Sequence, residues 1–399
     1  MAIWGMRLRA TTLAAVLLAA AAPAVGCGSE AGIDRGGTII GGTLTVYSLM
    51  PDPEHGAARD IVDGEKLALA QAGGKAGAFK ITFASLDERG DDPAERTAGA
   101  AAAARDAITD AQVVAVIDAL DSETAMSTVP LFNAAGILQV SPGAGYRGLT
   151  SRAGPGEPER YQPSARPVFA RVVGDDRAQA AALVAAAVAE AGPRPAIAVE
   201  QEPGAEADDI AAAVRGLVRA GGGRLVGDTA RADAVIYVGD DPANAAGVAE
   251  GVAREAPDAA IVLGDEVVRA GVADRLAPAA RRRAVLVSRA PRPGSTPELR
   301  AFEASFRRLY GREPGPYAAV GYEAMRAVLE AIRRAGPDAT KRQAVIDQFF
   351  RGPERDGLLG RWRIEPSGVR TNPSFSAVRA SDGAPVRSRA PILALNGGD

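Results

Sequence analysis

A chain of 399 residues with 47% apolar and 24% charged side chains has the composition of a soluble globular protein of two or three domains. Its single cysteine excludes an intramolecular disulfide and a cysteine zinc site, and its single histidine excludes a histidine-rich metal site. The 46 basic and 49 acidic residues give a net charge of -3, which removes the electrostatic argument for a nucleic-acid partner.

Residues 1–26 have the pattern of a secretory signal. They contain Arg7 and Arg9, no acidic residue, and an apolar run, Ala10–Ala22, that is too short to span a bilayer. Small residues precede Cys27, as in a bacterial lipobox, in which the cysteine becomes the lipidated first residue of the mature protein. We therefore predict a lipoprotein that is anchored to the membrane through Cys27. An ordinary signal peptide with an incidental cysteine is the alternative.

Residues 27–42 form a second segment without apolar periodicity. The segment is rich in glycine and polar residues, a composition that is typical of flexible linkers. We predict a tether with a reach of about 20 Å, which would hold the folded part close to the membrane surface.

From Thr43 onward, short β-branched runs alternate with stretches that favour helices. The strand candidates are Leu44–Tyr47, Phe79–Phe83, Val113–Ile117 and Gly136–Val140, and the helix candidates are Gly64–Gln71, Ala94–Ala107 and Glu123–Asn133. Such alternation predicts a parallel sheet that is covered by helices on both faces.

The alternation pauses across Gly145–Arg166, which we interpret as a long surface loop, and then begins again as a second doubly wound unit. Its predicted elements are Val168–Val173, Ala178–Ala191, Ala196–Val199, Asp208–Ala220, Ala234–Val238, Asn244–Arg254 and Ala260–Leu263. Two such units predict two Rossmann-like lobes, with a ligand cleft between the carboxyl ends of their sheets.

The C-terminal part adds three helices and three strands. The strands are Val285–Ser288, Trp362–Ile364 and Ser374–Val378, and the helices are Pro297–Tyr310, Tyr317–Ala335 and Arg342–Phe350. The apolar residues of the second helix recur at helical spacing, which indicates a core face.

Few sequence motifs indicate a binding or catalytic site. Gly143–Gly148 matches the GxGxxG fingerprint by letter, but no apolar helix follows it, so we interpret it as a false match. Asp91–Asp92 precedes a helix and is expected to cap it. Asp240–Asp241 follows a strand, and both a capping role and a ligand role are open. Ser122 either caps its helix or helps to form an anion cradle, and the two roles are compatible.

His55 lies in a loop that is rich in proline and aspartate, directly after the first strand. A loop histidine is usually solvated, and contact with the cleft is the alternative. Because it is the only histidine, a Ser-His-Asp triad would require this residue.

Seven short runs occur in a characteristic order. They are Gly64–Ala68, Leu86–Pro93, Asp121–Pro130, Gly136–Pro142, Phe169–Gln179, Tyr317–Ala324 and Gly357–Ile364. In this order they resemble the leucine/isoleucine/valine-binding family of type I periplasmic binding proteins, the solute receptors of branched-chain amino-acid ABC importers. The resemblance covers about residues 43–392.

The resemblance implies a binding site that this chain matches only in part. In the family, a serine at the position of Ser122 binds the amino-acid carboxylate. The next contacts fall at Gly143 and Gly145, where the family has a small residue and a threonine, so the threonine hydroxyl is missing here.

The second lobe also departs from the family pattern. Pro203 stands where an aromatic residue commonly covers the ligand, and Asp240 lies near a second aromatic position. The acid that binds the ligand ammonium matches Asp265 or Glu266. The resemblance thus implies the receptor architecture with an incomplete amino-acid clamp.

The resemblance further implies that three chain crossings, near Arg166, Ala290 and Gly352, form a hinge. The expected division is signal 1–26, tether 27–42, lobe 1 from 43–166 and 291–352, and lobe 2 from 167–290 and 353–395.

We expect a non-enzymatic, monomeric, extracytoplasmic receptor, without cofactor or metal, that delivers a small polar ligand such as an amino acid, amine or amide to an ABC permease. A sensor or degenerate receptor of the same fold is the alternative, and an enzyme is disfavoured. If Asp240, Asp241, Asp265 and Glu266 converge, the cleft should prefer a cation.

Overall fold

The computed structural model describes residues 38–39, 41–88, 90, 92–164 and 166–386. The predicted signal segment, Cys27 and Asp91 lie outside the described residues, so their roles stay predictions. The end of the predicted tether is packed rather than free, because Ile39 is only 5% exposed and its N–H donates to the Thr340 carbonyl at 2.8 Å. For Thr38 and Ile39 the expectation of a flexible linker is wrong, since the Ile39 side chain joins the core.

The first sheet has six strands. Its strands and the helices between them are β1 (Thr43–Met50), α1 (Gly56–Gln71), β2 (Lys75–Ala76), β3 (Phe79–Asp87), α2 (Pro93–Thr109), β4 (Val113–Ile117), α3 (Ser122–Ala135), β5 (Leu138–Ser141) and β6 (Phe169–Arg171). The strand order is β2-β3-β1-β4-β5-β6, and all neighbouring strands run parallel except β2 and β3. With the helices packed on it, this sheet forms the first lobe.

A second sheet and its helices form the second lobe. Its elements up to residue 288 are α4 (Asp176–Ala191), β7 (Ala196–Gln201), α5 (Ala205–Ala220), β8 (Arg224–Leu225), β9 (Ala234–Val238), α6 (Pro242–Glu255), β10 (Ala260–Leu263), α7 (Asp265–Arg269), α8 (Val272–Arg275), α9 (Pro278–Arg283) and β11 (Ala284–Ser288). With β14 (Ser376–Arg379), the strand order is β14-β11-β10-β9-β7-β8, and only β14 runs antiparallel to its neighbour.

After β11 the chain returns to the first lobe. The remaining elements are α10 (Pro297–Tyr310), α11 (Ala318–Ala335), α12 (Arg342–Phe350), β12 (Arg355–Gly357), β13 (Gly360–Trp362) and β14 (Ser376–Arg379). Helices α1 and α11 approach closely at two glycines, since a Cβ on Gly64 would overlap the Ala318 carbonyl and one on Gly321 would overlap the Ile61 carbonyl. The two-lobed α/β architecture predicted from the sequence is confirmed.

Two strand assignments made from the sequence are wrong. The strand predicted at Val168–Val173 does not open the second unit, because β6 pairs in parallel with β5 in the first sheet. The first crossing therefore follows Arg171 rather than Arg166. The strand predicted at Trp362–Ile364 belongs to a separate hairpin, and the buried Trp362 packs in the core of the first lobe.

The chain joins the second sheet again only at Ser376, through β14. The third crossing therefore lies beyond Arg370, whose guanidinium donates to the Val172 carbonyl at 2.9 Å, and not near Gly352. Within the described part of the chain, none of the helices has the length and apolar character needed to cross a bilayer.

Two buried carboxyl groups lie where β3 and β4 end. Asp118 is fully buried and accepts a 2.8 Å hydrogen bond from the Gln139 amide, and Glu88 is 1% exposed. Burial raises the pKa of Asp118 to about 6. Burial and the neighbouring Asp118 also raise the pKa of Glu88 well above its ordinary value.

Because the folded protein holds the Asp118 proton at a pH where the unfolded chain has released it, stability should fall as the pH rises from about 4 to 6. Asp118→Asn should make this fall shallower. Melting temperatures measured across this range test the expectation, with Asp258→Asn at an exposed position as the matched control. Equal slopes for Asp118→Asn and the wild type would contradict it.

Candidate functional site

A cavity of about 270 Å³ lies between the two lobes, where strands of both sheets end. Polar and charged side chains from both lobes line it. The first lobe contributes His55, Arg96, Asp121, Ser122 and Glu123, and the second contributes Glu206, Asp240, Glu266 and Arg269.

A smaller cavity of about 150 Å³ adjoins the first, and Glu206 lines both. Its apolar part includes Met126, Ile210 and Val238. Pro203 also lines it, at the position where the family resemblance led us to expect an aromatic residue.

Ser122 is not the N-cap that the sequence allowed. Asp121 caps α3 by accepting a 2.8 Å hydrogen bond from the Thr124 N–H, which leaves the Ser122 hydroxyl available for other partners. That hydroxyl accepts from the N–H groups of Gly145 and Tyr146 at 3.1 and 3.0 Å. It donates to Glu206 Oε1 at 2.7 Å, so it joins the two lobes.

Gly143 and Gly145 lie in the turn after β5, and both are buried. A Cβ at Gly143 would overlap the Leu120 carbonyl. One at Gly145 would overlap the guanidinium of Arg289 and a carboxylate oxygen of Asp176. The absence of a threonine at position 145 therefore has a physical reason, because the side chains of Arg289 and Asp176 occupy the space that it would need.

Arg289, like Glu206, is a site residue that the sequence analysis missed. It follows β11 directly, and its side chain is 1% exposed. The sequence did contain one signal for this residue, namely an arginine directly after a largely apolar strand, where a residue is expected to face the cleft. The guanidinium contacts four carboxylates: Glu266 at 2.6 Å, Asp265 at 3.2 Å, Asp176 at 3.2 Å and Glu206 at 3.9 Å.

Asp265 and Glu266, the expected ammonium acceptors, are both engaged by the protein. Asp265 Oδ1 accepts from the hydroxyls of Tyr317 and Ser288 and from the Arg289 N–H, at 2.5, 3.0 and 2.7 Å. Glu266 accepts from Arg289 and, through Oε2, from the Gln179 amide at 2.6 Å. Of the two, only Glu266 lines the cavity.

This cluster of buried charges shifts the pKa values of its members. Burial and the nearby Glu266 raise the pKa of Glu206 to about 7. Burial and Glu206 raise the pKa of Asp176 well above its ordinary value. Although burial opposes the effect, Arg289 and Arg269 keep the pKa of Asp265 below its ordinary value. One guanidinium thus balances only part of the surrounding negative charge.

Asp240 and Asp241 have different roles. Asp241 caps α6, accepting from the N–H groups of Ala243 and Asn244 at 2.7 and 3.3 Å. Asp240 is exposed at the cavity. Of the four acids considered for a cation site, only Asp240 and Glu266 line the cavity together.

Three other predictions concern residues near the cleft. Asp92 caps α2 as expected, accepting from the Glu95 N–H at 2.9 Å. Arg147–Leu149 forms only a 3-10 turn, so no α-helix begins at the GxGxxG match. His55 borders the cavity but is 75% exposed, and its Nδ1 lies 2.8 Å from Asp52.

Among the described residues, no group of three or more histidine, cysteine, aspartate or glutamate side chains is arranged so that it could hold a metal ion.

We expect Arg289→Met to destabilise the fold by about 3–5 kcal/mol, because it leaves buried carboxylates without their cation. The matched control is Arg307→Met, which breaks an exposed ion pair with Glu313 and should cost about 1 kcal/mol or less. Urea unfolding of both variants measures the difference. A loss no larger than that of the control would show that the cluster does not need Arg289.

Comparisons with known proteins were made for the sequence and for the fold. No curated protein sequence matches the chain. A structure from Desulfitobacterium hafniense, an ABC transporter substrate-binding protein in complex with Leu, has a TM-score of 0.71 at 17% identity, covering 86% of this chain and 98% of that one.

Two further solved structures are similar in fold. A leucine binding protein from Thermotoga maritima has a TM-score of 0.70 at 19% identity, covering 86% of this chain and 96% of that one. A solute binding protein from R. palustris in complex with benzoate has a TM-score of 0.66 at 20% identity, covering 86% and 95%.

The family model described as periplasmic binding protein matches residues 53–230 and 228–384, which together make up most of the chain. The match confirms the resemblance predicted from the sequence. The chain belongs to the periplasmic binding protein family.

Proposed function

We propose that this protein is the extracytoplasmic solute receptor of an ABC importer and that it binds a small amine-bearing solute between its lobes. The lobes close on the solute by a hinge motion, and the closed receptor delivers it to the permease. A lipid on Cys27 holds the receptor, as a monomer, at the membrane. The observation that carries the proposal is the cavity of about 270 Å³, with carboxylates from both lobes on its walls.

The charges on the two sides of the cavity favour a cation. Burial and the nearby carboxylates of Asp121 and Asp240 raise the pKa of Glu123 on the first lobe. Burial, Glu202 and Asp121 raise the pKa of Asp240 on the second lobe. Negative groups of both lobes therefore repel each other across the cleft, and an ammonium between them would remove this repulsion.

The basic residues on the wall do not offset these acids. Arg269 donates to the Leu120 carbonyl of the opposite lobe, so part of its hydrogen-bonding capacity is used in joining the lobes. Arg96 is the other arginine on the cavity wall. Against these two, Asp121, Glu123 and Asp240 supply carboxylates, while Glu206 and Glu266, which also line the cavity, already contact Arg289.

The relatives support solute binding and leave the ligand class open. Structures of similar fold were solved with leucine and with benzoate, so one scaffold accepts chemically different solutes. A cavity of about 270 Å³ lies just below the range typical of drug-sized ligands, which favours a compact solute. The similar proteins are described as an ABC transporter substrate-binding protein and a leucine binding protein, which supports a non-catalytic role.

A sensor of the same fold that does not take part in transport is the second candidate. The observation that favours it is the engagement of Asp265 and Glu266 by Arg289, because the acceptors expected for a ligand ammonium are already occupied. Uptake of the bound solute by cells that carry or lack the protein distinguishes transport from sensing.

Calorimetric titration should detect binding of ethanolamine, putrescine or glycinamide and no binding of benzoate, L-leucine or D-glucose. The double variant Glu123→Gln/Asp240→Asn should weaken amine binding about tenfold or more, because it removes one carboxylate from each side of the cavity. Both side chains are exposed, so the melting temperature should change little.

Asp258→Asn, which removes one exposed charge outside the cavity lining, is the matched control and should bind amines as the wild type does. Preferential binding of D-glucose would contradict the proposed ligand class. An unchanged affinity of the double variant for amines would contradict it as well.

A further inference from the structure

The Ser122 hydroxyl uses its full hydrogen-bonding capacity inside the protein. A hydroxyl has one proton to donate and two lone pairs to accept with. Ser122 Oγ accepts from the N–H groups of Gly145 and Tyr146 at 3.1 and 3.0 Å, and it donates to Glu206 Oε1 at 2.7 Å. The two accepted bonds orient the hydroxyl proton towards Glu206.

A second positive group faces the same carboxylate oxygen. Nη2 of Arg289 lies 3.9 Å from Glu206 Oε1, and the arginine side chain is 1% exposed. The oriented hydroxyl of the first lobe and the buried guanidinium of the second therefore form a small anion site. We call this pair, Ser122 and Arg289, the anion site.

The anion in this site is a side chain of the protein itself. Glu206 lies in the first turn of α5 in the second lobe, and its side chain is 21% exposed. It lines the larger cavity and the smaller one, so its side chain stands between the two. Burial and Glu266 raise the pKa of Glu206 to about 7, which means that keeping this side chain ionised at its position costs free energy.

We propose that Glu206 is a specificity-determining residue that fills the anion site from within and thereby excludes carboxylate-bearing solutes from the cleft. The proposal rests on the proposed function, since it takes the cleft to be the solute site. It narrows the solute to one that carries an amine and no carboxylate. An amino acid would meet a second obstacle in the same cluster. Asp265 and Glu266, the acids expected to bind its ammonium group, already accept hydrogen bonds from Arg289.

The test uses the fact that Glu206→Ala removes a carboxylate and one methylene, which together correspond to an acetate ion. We expect acetate to raise the melting temperature of Glu206→Ala saturably, by several degrees over sodium chloride of equal ionic strength. The wild type should show no such rise. Adding Ser122→Ala to this variant should weaken acetate binding about tenfold, because the oriented donor is lost.

Two matched controls separate the anion site from general loosening of the lobes. Asp209→Asn breaks the ion pair with Arg147, at 2.8 Å between the lobes, and leaves Glu206 in place. Glu206→Gln keeps the volume of the side chain. Neither variant should gain acetate binding. Acetate stabilisation of Asp209→Asn equal to that of Glu206→Ala would overturn the proposal, as would its absence in Glu206→Ala.

Wild-type protein provides a measurement that does not depend on the folding of any variant. Calorimetric titration with benzoate and L-leucine should show no binding, and tight binding of either would overturn the role of Glu206. Amine binding is measured on the same sample. Its absence would count against the proposed function and leave the acetate result as the separate test of Glu206.

Discussion

The ion cluster around Arg289 is the interaction on which the cleft depends. The guanidinium follows β11, while its carboxylate partners come from the beginnings of α4, α5 and α7. Buried charges are tolerated only when they are paired, so these helices of the second lobe must keep their positions around one side chain. The first lobe accommodates the cluster by having glycine at position 145, where any side chain would overlap the guanidinium.

The same cluster determines what the cleft can offer a solute. Asp265 is fully buried with bonds to Tyr317, Ser288 and Arg289, so a ligand would have to displace these groups to reach it. The carboxylates that remain accessible lie further out, on the wall of the larger cavity. Under the proposed function, the solute would therefore be recognised not at the centre of the cluster but at its edge, where carboxylates outnumber arginines on the cavity wall.

Local patterns were sufficient to predict most of the fold. The strand Ala234–Val238 and the helix Pro297–Tyr310 have the predicted bounds, because an all-apolar run between turns and an amphipathic repeat are properties of neighbouring residues. Sheet membership is not such a property. The run at Val168–Val173 reads as a strand from its own residues, but only its pairing with β5 places it in the first sheet.

The site was predicted less completely for the same reason. Ser122, Asp240 and Glu266 do line the cavity, since parallel strands bring their carboxyl ends to one edge. Gly143 and Gly145 do not line it and pack instead against Leu120 and Arg289. Glu206 and Arg289 were missed because their roles come from partners that are distant in sequence. Ser122 and Glu206 are 84 residues apart, and Asp176 and Arg289 are 113 apart. A capping role for Ser122 was left open because aspartate and serine are both good N-cap residues, and only the structure shows that Asp121 is the cap.

Contacts between the lobes constrain how a solute could drive the closure that the proposed function requires. Ser122 with Glu206, Arg147 with Asp209 and Tyr317 with Asp265 join the lobes through the protein's own groups. A ligand shifts a conformational equilibrium only by its difference in affinity for the two states. These bonds hold the two lobes together. Under the proposed function, a solute would therefore add to closure by relieving what opposes it, which is the repulsion among carboxylates of the two lobes. An amine would do so by its charge, whereas a carboxylate would add to that repulsion.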